Sequence, residues 1–118
     1  MDERLLKALF EPRRYLLMQR MAERTYCVRA LAKLSALSES AVSQHLKVLR
    51  EAGLVYGVKR GYYTHYGLDK AALGRLIDEL CRLRDAERRP CSGPYYGCAV
   101  SREVGCPAYI PPEQRGTD

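Results

Sequence analysis

LSESAVSQHLKVLREAGL, residues 37–54, has the pattern of a helix with two chemically different faces and both ends marked. Val42, Leu46 and Leu49 recur at i, i+4 and i+7, the spacing that gathers apolar side chains into one buried stripe. The opposite face carries Ser40, Ser43, Gln44 and Lys47. Ser38 is placed to cap the N-terminus and Gly53 to close the C-terminus. Short hydroxyls, an amide and a cation on a short rigid helix suit base edges and phosphates in a major groove. An ordinary amphipathic surface helix shares the same stripe, so the flanking sequence has to separate the two readings.

Upstream, residues 2–10 predict a first short helix with Leu5, Leu6 and Leu9 on one side. Pro12 then occupies the N1 position of a second helix, where its missing N–H costs nothing. That helix is expected to send Tyr15, Leu16, Leu17 and Met21 inward and Arg13, Arg14 and Arg20 outward. Thr25 is the expected cap of a third helix containing Val28, Leu31 and Leu34, and Ser35-Ala36-Leu37 turns into the fourth. Two short helices joined by a tight turn, the second with a polar exposed face, form the helix-turn-helix pattern.

Downstream of Gly53 the period changes from helix to strand. Leu54-Val55-Tyr56-Gly57-Val58 and Tyr62-Tyr63-Thr64-His65-Tyr66 are β-branched and aromatic runs separated by Lys59-Arg60-Gly61, a hairpin signal with a basic tip. Such a hairpin after a helix-turn-helix is a wing, and Lys59, Arg60 and Tyr62 are its candidate contacts to phosphate or minor groove. Protection of a strand edge by the two cations is the alternative. Asp69 caps a fifth helix whose Leu73, Leu76, Ile77, Leu80 and Leu83 form a stripe that suits a second copy as well as the chain's own core. Pairing it with the first helix across a two-fold axis builds a dimer. Two recognition helices then lie about one DNA turn apart, ~34 Å. The fold class expected is mainly α with a small β-hairpin: a winged helix-turn-helix of five helices plus wing.

Size and charge agree with this. The chain has 118 residues, room for one small domain, and a formal net charge of +6 that favours a polyanionic partner. No apolar run nears the roughly 20 residues that span a bilayer, and no signal-peptide pattern opens the chain, so a cytoplasmic protein is expected. From Arg88 the composition breaks: five of the six prolines and three of the five cysteines fall in residues 88–118. Residues 1–87 therefore read as a DNA-binding and dimerisation domain and 88–118 as an irregular Cys/Pro-rich tail, a candidate sensing segment. Five cysteines, an odd number in a chain expected in the cytosol, argue against a disulfide framework and for metal or redox chemistry.

The element order, with Ser43-Gln44-His45-Leu46-x-x-Leu49-x-x-Ala52-Gly53-Leu54 and the later Arg60-Gly61-Tyr62 and Tyr66-Gly67-Leu68, resembles the ArsR/SmtB family of winged-helix repressors over residues 3–83. The resemblance implies a homodimer that represses an operator and releases it when a metal, metalloid or reactive small molecule binds. It places Ser40, Ser43, Gln44 and His45 at DNA, with Ser38 and Lys47 as further candidate contacts on the same helix, although His45 suits a half-buried bridge between helices equally well. The arsenic-responsive prototype carries Cys-Val-Cys at the start of the third helix. Here the residues are Cys27-Val28-Arg29, so that site does not carry over whole. Residues 69–85 hold no His, which counts against a zinc-type site on the fifth helix.

The tail holds Cys91, Cys98 and Cys106 in a C-x6-C-x7-C spacing, with Gly93, Pro94, Gly97 and Gly105 allowing tight turns between them. Three thiolates match the pyramidal demand of trivalent arsenic or antimony, whereas tetrahedral zinc or cadmium needs a fourth ligand from Cys81 or Cys27. Arg88 and Arg89 favour the thiolate form. No obligatory cofactor is expected; As(III) or Sb(III) is the expected inducer. The rival regulator is a redox or iron–sulfur sensor using Cys81, Cys91, Cys98 and Cys106. Three unrelated tail thiols, and a small core or dimer role for Cys81, are the plainer alternatives. A thiol enzyme finds no support, since C-x-x-C, a cofactor fingerprint and a base beside a Cys are all missing.

Overall fold

A computed structural model describes residues 3–88. The elements run α1 (Glu3–Leu9), α2 (Pro12–Glu23), α3 (Val28–Ser35), α4 (Glu39–Glu51), β1 (Val55–Arg60), β2 (Tyr63–Leu68) and α5 (Lys70–Asp85). Five helices and an antiparallel hairpin thus appear in the order expected, and the described residues up to Leu83 form one compact unit.

Local chemistry sets the boundaries. Glu11 caps α2 by accepting from the Arg14 backbone N–H at 2.9 Å, and Pro12 follows it into the first turn. That bond, more than nearby charge, holds the Glu11 carboxyl below its ordinary range. Arg14 is half-buried rather than simply outward. Its guanidinium donates to Ala8 O at 2.7 Å and Lys7 O at 2.9 Å, satisfying carbonyls at the end of α1 and tying α1 to α2. The α3 cap is Cys27, without a side-chain bond, instead of Thr25. Tyr26 exchanges backbone bonds with Tyr66 (3.1 and 2.7 Å), and this bridge to the wing pushes the helix start beyond Thr25. Ala36 takes the left-handed conformation (φ 55°) between α3 and α4.

The core is built by Leu17, Met18 and Met21 of α2, Leu31 of α3, Val42, Leu46 and Leu49 of α4, and Leu54, Val55 and Leu68 of the wing root. Two expectations for α2 are corrected: Met18 occupies the core, while Tyr15 is exposed and Leu16 only half-buried. Tyr15 instead lines an apolar groove with Leu9, Phe10, Glu11 and Pro12. Leu34 is also largely exposed, so α3 enters the core through Leu31 and Ala32. On α5 only Ala72 and Leu76 are buried, and Ile77, Leu80 and Leu83 stand on the surface.

Ser38 performs the cap read from the sequence, its hydroxyl accepting from Ala41 N–H at 3.0 Å. Replacing it by alanine is expected to cost about 1 kcal/mol. Urea unfolding of Ser38→Ala should show a lower midpoint with an unchanged m-value, and an unchanged midpoint would mean that the cap contributes nothing.

Candidate nucleic-acid interface

α4 is held on one side and bare on the other. Val42, Leu46 and Leu49 face the core, while Ser38, Ser40, Ser43, Gln44 and Lys47 are all exposed. Both ends are fixed. At the C-terminus Gly53 (φ 78°) donates to Arg50 O at 3.0 Å and Leu54 N–H reaches Leu49 O at 2.9 Å, the paired bonds of a Schellman ending. Glycine is needed there because an L side chain strains at that φ. The chain then passes directly into β1. His45 is half-buried and near enough to Glu11 to help hold its carboxyl ionised, the helix-bridging position rather than the open face.

The hairpin pairs from Val55↔Leu68 to Arg60↔Tyr63, so its turn is the two residues Gly61-Tyr62. Gly61 has φ 62° and Tyr62 does not share the positive φ, which is the type II′ arrangement with glycine first. Lys59 and Arg60 therefore lie at the end of β1 and not in the loop, a correction that follows from this two-residue closure. Both remain exposed, and Tyr62 at the tip is 97% exposed. The wing root is rigid: Tyr56 lies over Gly67, where an added Cβ would come 2.6 Å from its ring, and Asp69 N–H bonds Leu54 O at 2.8 Å.

Two pockets adjoin Tyr66 of β2. One, about 380 Å³, lies between α4 and β2 and is lined by Ser43, Leu46, Lys47, Arg50, Glu51 and Tyr66. The other, about 460 Å³, lies between the start of α3 and β2 and includes Cys27, Arg29, Glu39, Tyr62, Tyr63 and Tyr66. Arg29, Arg50 and Tyr66 were not read as site residues from the sequence. Arg50 follows Lys47 by three positions on the same exposed side, a signal available in the helical spacing; the strand wall opposite is a product of tertiary folding.

Of the candidate thiols, Cys27 and Cys81 are free and half-buried. Among the described residues no three His, Cys, Asp or Glu stand close enough to hold a metal ion, so these two do not make a site with their neighbours. Cys91, Cys98 and Cys106 lie outside the described residues, as does the tail that contains them. No described helix is long and apolar enough to cross a membrane.

The geometry agrees with three comparisons. A family model for bacterial regulatory proteins of the arsR family matches residues 11–56. Over 81 residues the chain is 33% identical to the arsenical resistance operon repressor of Bacillus subtilis (strain 168), covering 67% of this chain and 77% of that one. The ArsR-like transcriptional regulator from Rhodococcus sp. RHA1 superposes with a TM-score of 0.64 at 26% identity, over 69% of this chain and 76% of that one. A homodimeric winged helix-turn-helix DNA-binding domain from Mycobacterium bovis shares the fold, with a TM-score of 0.59 at 24% identity over 71% and 80% of the two chains. A capped helix with a polar open face, a basic wing beside it and this breadth of likeness lead to one assignment: the chain belongs to the ArsR/SmtB family of winged-helix transcriptional regulators.

Proposed function

We propose that this protein is a homodimeric, cytoplasmic operator-binding repressor that releases DNA when a thiophilic metalloid, arsenite or antimonite, binds its cysteine thiolates. The observation that carries the DNA half is the exposed row Ser40, Ser43, Gln44 and Lys47 on a helix fixed at both ends, with Lys59, Arg60 and Tyr62 alongside. Ser38 and His45, at the helix start and on its buried flank, position this row more than they extend it. Likeness to the Bacillus subtilis arsenical resistance operon repressor supports the signal half.

Two-fold pairing is supported by unpartnered apolar surface. Ile77, Leu80 and Leu83 on α5 and Phe10 and Tyr15 at the α1–α2 junction are exposed, a combination that a monomer rarely leaves to water. The Mycobacterium bovis domain of the same fold is homodimeric. In this reading α1 and α5 pair, and the two α4 helices meet successive major grooves.

For the signal, Cys27 with Arg29 two positions on lacks the second thiol of a Cys-Val-Cys pair, and the described residues gather no metal cluster. The reading therefore rests on Cys91, Cys98 and Cys106, with Cys81 or Cys27 as further donors. Residues 1–87 bind DNA and pair, and 88–118 carry the sensor. Ligand capture favours a dimer population whose recognition helices no longer match the half-sites.

Two measurements test the halves separately. Gln44→Ala should relax discrimination between the operator and single-base variants by about 1–3 kcal/mol, since a side-chain amide reads a base edge bidentately. An unchanged preference would remove Gln44 from the reading face. Replacing Cys91, Cys98 and Cys106 together by serine should leave operator affinity intact in a gel shift and abolish release by arsenite. Persistent release would exclude the tail as sensor, and visible absorbance after anaerobic purification would favour the iron–sulfur alternative.

A further inference from the structure

The two pockets beside Tyr66 differ in charge. In the one at the start of α3, Arg29 is offset by Glu39. In the one between α4 and the wing, Lys47 and Arg50 are accompanied by a single acid, Glu51, leaving one net positive charge. Positions 43, 47 and 50 follow at i, i+4 and i+7, so a hydroxyl, an ammonium and a guanidinium line one edge of α4, with Tyr66 of β2 on the facing wall. Among the described residues no ion pair engages Lys47, Arg50 or Glu51. Arg50 is also seated. A Cβ built at Gly57 of β1 would lie 3.5 Å from Arg50 Nη1, an ordinary contact distance, while Thr64 and Tyr66 at 3.1 and 3.2 Å would be the crowded neighbours. The guanidinium therefore lies close to the strand at Gly57, and its charge stands between helix and wing.

A helix in a major groove and a hairpin tip reaching the adjacent minor groove leave the sugar-phosphate strand between those grooves to pass between helix and hairpin. Resting on the DNA-binding reading above, the geometry points to a phosphate-binding site in the pocket between α4 and the wing. In it Arg50, with Lys47 and the Ser43 hydroxyl, holds one backbone phosphodiester per subunit. One net positive charge matches the single negative charge of that group, and a guanidinium fork is suited to two of its oxygens. Because Arg50 leans on β1 at Gly57, the same contact sets the wing against α4 when DNA is bound. Phosphate carries no sequence information, so this site contributes affinity and register rather than specificity.

The test is fluorescence anisotropy on two duplexes, the DNA upstream of the chain's own gene and a scrambled duplex of equal length, between about 50 and 200 mM salt. Arg50→Ala is expected to weaken binding to both duplexes by the same factor, roughly tenfold per bound subunit, the loss of a charge-assisted hydrogen bond. It should also flatten the slope of log affinity against log salt by about 0.9 per bound subunit. Arg50→Lys should restore most of that slope. Arg20→Ala, an exposed change on α2 that removes the same charge, should leave it unaltered. The proposal is overturned if Arg50→Ala keeps the wild-type slope, or if Arg20→Ala flattens it equally, which would make the effect one of net charge alone. A wild-type protein that binds neither duplex would overturn the DNA-binding reading and this site with it, whereas wild-type binding with an unaltered Arg50→Ala slope sinks only the site.

Discussion

The burial of Val42, Leu46 and Leu49 is the constraint on which the rest of this structure depends. Each contributes on the order of 1.5–3 kcal/mol when removed from water, enough to fix the rotation of α4 about its axis. That rotation decides which residues are left outside. With the apolar stripe against Leu31, Leu54 and the α2 core, Ser40, Ser43, Gln44 and Lys47 have only one direction to face. The cap at Ser38 and the Schellman ending at Gly53 then fix the helix lengthwise. A reading surface of short side chains needs this rigidity, because serine and glutamine have little reach with which to correct a misplaced backbone.

The wing inherits its position from the same helix. Leu54 follows the α4 ending by one residue and is fully buried, so β1 starts from a fixed point. Tyr26 extends the hairpin by a bridge to Tyr66, and Tyr56 closes over Gly67. Helix and hairpin accordingly present their cationic groups as one surface, with Arg50 between them. The second half of α5 does not share in this core: Ile77, Leu80 and Leu83 leave it free for other contacts. The exposed polar face of α4 and the exposed apolar face of α5 are thus separate on the chain, joined through the packed helices between them.

The fold was legible in the sequence wherever local chemistry decides it. Ser38, Gly53, Pro12 and Asp69 mark ends through groups within three or four residues, and each end falls beside its marker. Legibility failed where a distant strand intervened. Thr25 loses the α3 cap because Tyr26 is taken by Tyr66, forty positions away in sequence. Tyr15 reads as core by composition, yet α2 turns Met18 inward and leaves Tyr15 beside Phe10. Lys59 and Arg60 read as loop until the pairing of Arg60 with Tyr63 confines the turn to Gly61-Tyr62. The exposed polar face of α4 followed from periodicity, whereas the pocket at Arg50 needed the opposite strand wall and could not. The cysteines of the tail were legible as chemistry but not as geometry, since spacing alone does not bring sulfurs together.

The central claim is that two copies of α4 read DNA in register, and hydroxyl-radical footprinting on the upstream region of the chain's own gene tests it most directly. The account predicts two related protected segments whose centres lie about one helical turn apart, ~34 Å, with backbone protection flanking each. Protection of a single segment, or uniform coverage that ignores sequence, would contradict it.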